Sequence, residues 1–193
     1  MIKAIIFDCF GVLTRDWWRE FCATLPPGPV LNEAKQLNRQ YDAGQLDLKE
    51  FVHAVHKATG HEPKPIEDIF ATPKAEKNLE LLDYIRELKK NYKIGLLSNI
   101  GTHWVTESFL SAEEQALFND MTFSFQVGAS KPDPKIYLAS LNKLGVKPQD
   151  AIFIDDIDTY IIAAEQLGMK GIIYSNFNQM KNDLEKLLSA PNN

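Results

Sequence analysis

Residues 4–14, Ala-Ile-Ile-Phe-Asp-Cys-Phe-Gly-Val-Leu-Thr, constrain this chain more than any other stretch. Ala4 to Phe7 form a short apolar run that predicts a strand buried on both faces, as in a parallel sheet. Asp8 stands where the run stops. Its carboxylate is expected at the C-terminal edge of the sheet, where open α/β folds place their ligands. Gly11 lets the backbone turn sharply just beyond it. Many buried strands end in Asp, so the weight of this one comes from three later stretches with which it makes a set.

Ile94-Gly-Leu-Leu-Ser98-Asn99 is a buried strand ending in two small hydrogen-bonding residues. Gly128-Ala-Ser-Lys131-Pro132-Asp133-Pro134 places a lysine in a Pro-bounded loop just before a helix. Ile152-Phe-Ile-Asp155-Asp156 is a strand ending in adjacent carboxylates, again followed by a helix. Strands that end in polar residues at one sheet edge converge on one crevice. Carboxylates, a hydroxyl, amides and one ammonium gathered there suit an aspartate nucleophile working with a hard divalent cation. Such a cation would neutralise phosphate charge, and Lys131 would add a point charge to the same group. The like charges at 155 and 156 are costly in a crevice unless a cation or hydrogen bonds offset them.

The rest of the chain alternates strands and helices from about residue 78 onward. Helices are expected at Asn78–Asn91, Pro134–Leu144, Tyr160–Leu167 and Asn178–Leu188, and strands at 93–97, 122–127, 151–154 and 171–174. That alternation implies a parallel sheet with helices on both faces. Residues 15–75 lose the buried-strand runs and become amphipathic and helical, broken by Pro26-Pro27-Gly28-Pro29 and by Gly60 to Pro65. Helices are expected there at 16–25, 32–43 and 46–59, with Asp47 and Glu50 placed as a capping box. An insertion directly after the Asp of the first strand would hang over the sheet's C-terminal edge, as a lid does.

Composition narrows the function class. The 193 residues suit one domain with a modest insertion, and 45% apolar with 24% charged residues is ordinary for a globular protein with a real core. A net charge of −5 argues against nucleic acid or an anionic membrane as the main partner. The two cysteines, Cys9 and Cys22, make neither a metal spacing nor a disulfide framework, so a reducing, cytoplasmic setting is expected. No apolar run is long enough to span a membrane, and the N-terminal one is too short for a signal peptide.

The four motifs, Phe-Asp-x-x-Gly-Val-Leu, Leu-Leu-Ser-Asn, Ser-Lys-Pro-Asp-Pro-x-Ile-Tyr and Phe-Ile-Asp-Asp, in this order resemble those of the haloacid dehalogenase (HAD) superfamily. The resemblance covers essentially the whole chain and is closest to members with a small helical cap, most of them phosphatases of small phosphorylated metabolites. It implies a Rossmann-like α/β core at 1–14 and 76–193, with the first strand between those ending at Ser98 and Asp155, and a helical cap at 15–75. It also implies that Asp8 forms an aspartyl-phosphate, that Ser98 and Asn99 hold phosphoryl oxygens, and that Lys131 stabilises both nucleophile and phosphate. Mg²⁺ would be bound by Asp8, the Phe10 backbone carbonyl and Asp156, with Asp155 helping through water or hydrogen bonds. The partner would be a small phosphorylated molecule, and the protein a monomer or homodimer.

One departure matters more than the match. The second residue after the nucleophile is usually another Asp in the family's phosphatases, the general acid/base, and here it is Phe10. General acid–base help is typically worth about 10²–10⁴-fold, so alkyl phosphates should react slowly unless another group replaces it. Asp16 and His103 lie near the right motifs. Tyr160 is a second departure, where relatives with Asp-Asp often carry Asn. A 2-haloacid dehalogenase is an alternative reading, because that branch carries an aromatic residue two after its nucleophile, but it needs no metal and lacks the Asp-Asp pair. A catalytically impaired binding or regulatory protein is a third. Among the remaining residues, Cys9 reads as a small core residue, and His53, His56 and His61 read as surface or cap packing. Trp17, Trp18 and Trp104 suit the cap–core cleft or the core, and Arg15 and Asp16 sit where a hinge or substrate contact would be.

Overall fold

The computed structural model describes residues 1–71 and 75–189. The parts of the expected core and cap at 72–74 and 190–193 lie outside the described residues. A five-stranded sheet forms the centre, with every pairing parallel and the strands in the order β3-β2-β1-β4-β5. The strands are β1 (Ala4–Phe7), β2 (Lys93–Ser98), β3 (Asp120–Phe123), β4 (Ala151–Asp155) and β5 (Lys170–Ile173). As the motif order implies, β1 lies between the strands that end at Ser98 and Asp155.

Successive side chains of β1 point to opposite faces and enter separate cores. Ile5 and Phe7 pack with α5 (Leu79–Leu88) and α10 (Phe177–Ser189), through Leu81, Ile85, Met180 and Leu184. Ala4 and Ile6 pack with α8 (Pro134–Leu144) and α9 (Asp158–Gln166), through Ile136, Leu141, Ile161 and Ala164. A strand that must fill two cores can hold nothing but apolar residues, which is why the run is unbroken up to Asp8.

Between β1 and α5 come α1 (Trp17–Ala23), α2 (Pro29–Asp42), α3 (Leu48–Thr59) and α4 (Pro63–Ala71). These helices share their own cluster of Tyr41, Phe51, Val52, Val55 and Ile66, joined by Trp18, Phe21 and Phe70. Asp47 and Glu50 form the expected capping box on α3. The expected break at Gly60 to Pro65 is shorter than that, because α4 begins at Pro63. Pro63 opens it, where the missing N–H would have no helical partner in any case.

The strand expected at 122–127 is also revised. It runs from Asp120 to Phe123, and Ser124–Val127 is a helical turn, α7. The Ser124 hydroxyl accepts from the Ile100 N–H at 2.8 Å and donates to the Asp42 carbonyl, which draws the chain off the sheet. The remaining helical pieces among the described residues are a π-helical turn at Val105–Phe109, the short α6 (Ala112–Gln115) and a 3-10 turn at Pro148–Asp150. Among the described residues no helix is long and apolar enough to cross a membrane.

Candidate active site at the C-terminal edge of the sheet

Register explains why the four motifs meet. Phe7 is level with Leu96 on one side and Ile154 on the other, so Asp8, Ser98 and Asp155 leave the sheet within one residue of each other. Lys131, on the loop before α8, reaches the same edge. Its ammonium lies 2.7 Å from Asp8 Oδ1 and 2.6 Å from Asp155 Oδ2, and it is 1% exposed. The Phe153 and Tyr160 rings flank it, with centroids 5.4 and 5.1 Å away. Burial works against the ammonium, but Asp155 and Asp8 together outweigh it and hold its pKa above the usual lysine range.

The carboxylates are held by main-chain donors as well. Cys9 N–H donates to Asp8 Oδ1 at 2.7 Å, and Ile157 N–H to Asp155 Oδ1 at 2.9 Å. Burial first, and then the Asp155 charge, push the Asp8 carboxyl well above its ordinary 3.8, while Lys131 pulls it down. One ammonium between two buried carboxylates leaves a surplus negative charge, and Asp156 adds another beside them. Oxygen atoms of Asp8, Asp155 and Asp156 all lie within 4.8 Å of one another.

Gly11 makes room for Asp156. Its φ is +84°, and a Cβ there would overlap the Asp156 carboxylate. Asp156 Oδ2 accepts from Arg19 of α1, so the helical segment touches the motif edge at this carboxylate. Its other oxygen, Oδ1, is buried without a hydrogen-bond partner among the described residues, and so is Ser98 Oγ. Buried polar atoms are almost always satisfied, so each orphan asks for a ligand. A hydroxyl that can donate suits a phosphoryl oxygen, and a lone carboxylate oxygen in an all-oxygen, electronegative cluster suits a hard cation such as Mg²⁺.

Asn99 is placed differently from a simple phosphate donor. Its Oδ1 accepts from the Lys131 N–H at 2.7 Å and its Nδ2 donates to the Lys131 carbonyl at 3.1 Å, so the side chain clamps the lysine loop onto β2. The Phe10 ring stacks on Trp104 at 5.8 Å, with Trp17 edge-on to the same indole at 6.2 Å. Trp18 instead lies among the aromatic residues of the helical segment.

The other candidates scatter. Asp16 caps α1 by accepting from the Arg19 N–H at 2.9 Å. Exposed His103 packs edge-on against Phe125. His53 is exposed, and His56 shares a hydrogen bond with the His61 carbonyl, so they form no pair. Arg15 pairs with Glu20, and Cys9 and Cys22 are free and buried. Sequence reasoning missed Arg19 and Asp42. Neither belongs to a motif, and only the folded arrangement of α1 and α2 brings them near this edge.

D-ribitol-5-phosphate phosphatase of Bacteroides thetaiotaomicron is 30% identical, over 98% of this chain and 100% of its own length. The first curated relatives matched are longer proteins, of which the chain spans only 39%, 24% and 37%. The solved structure of a predicted HAD-like hydrolase from Porphyromonas gingivalis superposes with a TM-score of 0.73, at 24% identity, over 99% of this chain and 100% of the other. A HAD-family enzyme of B. thetaiotaomicron, crystallised with magnesium and inorganic phosphate, superposes with a TM-score of 0.63, at 22% identity, over 91% and 95% of the two chains. The family model for haloacid dehalogenase-like hydrolases matches residues 2–168, and the chain therefore belongs to that family.

Proposed function

We propose that this hydrolase is a Mg²⁺-dependent phosphatase of a small phosphorylated metabolite, acting through an aspartyl-phosphate on Asp8. The observation that carries the reading is the pair of orphaned buried atoms, Ser98 Oγ and Asp156 Oδ1, beside the Asp8–Lys131–Asp155 cluster. A phosphoryl group and a cation would satisfy both. The phosphatase among the relatives and the magnesium–phosphate complex among the structural neighbours support the same class.

In this reading Asp8 attacks phosphorus while Lys131 offsets charge on the carboxylate and the transferring group. Ser98 donates to a phosphoryl oxygen. Asn99 sets the height of Lys131 through its two hydrogen bonds to that residue's main chain. Asp8, the Phe10 carbonyl and Asp156 would hold the Mg²⁺, with Asp155 behind them anchoring Lys131. A bound Mg²⁺ would supply charge neutralisation for the carboxylates and the phosphate. The helical segment at 15–75 acts as a cap that excludes water and selects the leaving group. The Asp155–Asp156 pair favours this chemistry over metal-free dehalogenation.

The test is hydrolysis of p-nitrophenyl phosphate with and without Mg²⁺, in wild type and Asp8→Asn. Metal-dependent turnover that Asp8→Asn abolishes is expected. Wild-type turnover no higher than that of Asp8→Asn would sink the reading.

A further inference from the structure

Phe10 leaves the leaving-group oxygen without its usual proton donor, and the side chains that could replace it are engaged elsewhere. Asp16 caps α1, His103 lies exposed against Phe125, and the Asp42 side chain accepts from Asn38 at 2.8 Å. Asp155 anchors Lys131, and Asp156 stands in the cluster that suits a cation. A phosphorus–oxygen bond breaking here therefore sheds its oxygen as an anion. For an alkoxide that forfeits the benefit of general acid catalysis, about 10²–10⁴-fold. A phenol, with a pKa of about 10 as in tyrosine, departs with little help.

What stands in place of the acid is an aromatic wall drawn from three segments. Phe10 and Trp104 are stacked, with 5.8 Å between centroids and 18° between planes, and Trp17 meets Trp104 edge-on. Trp104 is also stacked on Phe109, at 4.8 Å and 15°, and Phe109 is buried in the larger core. Phe10, Trp17 and Trp104 are each only half-buried, so the wall keeps aromatic surface open. Contacts beside each ring set its place relative to the chemistry. Phe10 lies between Cys9, whose N–H donates to Asp8 Oδ1 at 2.7 Å, and Gly11, which lies against the Asp156 carboxylate. Gly11 N–H donates to the Thr14 carbonyl at 2.6 Å and Leu13 N–H to the Cys9 carbonyl at 2.8 Å, so the turn that carries Phe10 is tied down. Trp17 stands two residues before Arg19, which pairs with Asp156. Trp104 is on the chain that continues from Ser98 and Asn99.

We propose that this wall and the missing acid together select the substrate class: phosphate monoesters of planar, weakly basic leaving groups, of which aryl phosphates are the simplest. The proposal rests on the phosphohydrolase reading above and narrows its substrate. The two demands meet in one group, because the conjugation that makes an aryl oxygen a weak base also gives it a flat face. Aromatic rings pack face-offset or edge-on with centroids about 4.5–7 Å apart, the spacing already present within the wall. An Asp8 oxygen bonds to phosphorus as the bond from phosphorus to the aryl oxygen breaks. That oxygen keeps the electron pair, and the phenolate takes its proton from solvent. Water then attacks phosphorus and gives its proton to solvent, and the acyl-phosphate bond breaks with its electron pair on Asp8, releasing inorganic phosphate.

The test separates ring from leaving-group basicity with four substrates. Phenyl phosphate has the ring and a weakly basic oxygen, benzyl phosphate the ring alone, acetyl phosphate the weakly basic oxygen alone, and D-ribitol 5-phosphate neither. Hydrolysis of the acyl-phosphate is common to all four, so kcat/KM with Mg²⁺ isolates binding and the first chemical step. Wild type should prefer phenyl phosphate to D-ribitol 5-phosphate by about 10²-fold or more. Trp17→Leu should lose about three- to tenfold on the two ring substrates and little on the others, and Trp17→Phe should restore most of that loss. Phe10→Asp should raise benzyl phosphate and D-ribitol 5-phosphate by about 10²-fold and phenyl phosphate least. A readout that needs no variant is calorimetric titration of wild type with Mg²⁺, where unreactive benzylphosphonate should bind about three- to tenfold tighter than ethylphosphonate. The proposal is overturned by a wild type that takes D-ribitol 5-phosphate as readily as phenyl phosphate, or by equal affinity for the two phosphonates. Equal losses in Trp17→Leu on all four substrates, no loss on any, or an equal gain in Phe10→Asp on phenyl phosphate also overturn it. Wild type inert toward all four is a different result: it removes the phosphohydrolase reading itself.

Discussion

A buried carboxyl that titrates near neutrality leaves a thermodynamic mark that needs no substrate. Asp42 has its pKa raised from an ordinary 3.8 to about 8. The folded state therefore binds one more proton than the unfolded chain between those values, and stability must fall as pH rises through that window. The contribution is fully present below about pH 4, declines by up to about 1.4 kcal/mol per pH unit, and is gone above about pH 8. Between pH 5 and pH 8 that amounts to about 3 kcal/mol. Burial of the side chain, at 6% exposure, means that solvent does little to screen it. Asp8, Asp16 and Asp156 are shifted in the same direction, so the raw pH dependence of wild type is a sum. The difference between wild type and Asp42→Asn isolates one group. Asn accepts the same hydrogen bond from Asn38 and carries no proton to lose. Urea unfolding of both proteins at pH 5, 6, 7 and 8, with the slope m held common, gives the difference directly. Asp42→Asn should gain on wild type steadily across the series, by about 3 kcal/mol in all. Parallel curves, or a gap that widens toward acid pH, would show that Asp42 is ionised in the folded protein and refute the reasoning.

Two further outcomes follow from single contacts. Ser98→Ala removes a fully buried hydroxyl that has no partner, so its stability should match or exceed that of wild type by up to about 1 kcal/mol, while inorganic phosphate binding and kcat/KM fall; a destabilised variant with unchanged phosphate binding would count against the site. Arg19→Met removes a cation that is 59% exposed from Asp156, so Mg²⁺ affinity measured by titration calorimetry should tighten about two- to fivefold, and unchanged or weaker binding would show that the arginine does not compete for that carboxylate.

How much of this was legible in the sequence divides by the range of the interactions involved. Strand β1 could be read from four residues because a strand filling two cores admits only apolar side chains, and the Asp that ends it marks the sheet edge. Ser98 and Asp155 could be placed at that edge for the same reason, each ending a buried run, and Lys131 could be placed there as the lysine of the loop just before α8. Helix α4 was hidden by Pro63 and Pro65, which read as breakers although the first turn of a helix tolerates proline. The short β3 was hidden because a hydroxyl at 124, bonding two distant segments, ends the strand where local propensity would continue it. Asn99 carried a motif role but spends its amide on the Lys131 main chain. Arg19 and Asp42 had no local signal at all. Their contacts join residues more than eighty positions apart, and nothing in the spacing of a helical segment says which of its polar residues face the core.

The two cations at this edge are held so differently that their duties separate on physical grounds. Lys131 is buried, bonded to two carboxylates and flanked by two rings, and its loop is clamped on both sides by one asparagine side chain. Moving it would strand two buried carboxylates, a cost of several kcal/mol, so it is a fixed charge throughout any reaction cycle. Arg19 reaches Asp156 from outside on a long, mostly exposed stem, and such pairs are worth about 1 kcal/mol or less. A divalent ion binding at Asp156 could therefore displace it at little cost. The displaced guanidinium would then stand at the mouth of the site on α1, beside the Trp17–Trp104–Phe10 stack. An anionic substrate of the proposed kind would meet the exchangeable charge at the rim before the fixed charge at the bottom, and the rim charge belongs to the segment outside the sheet.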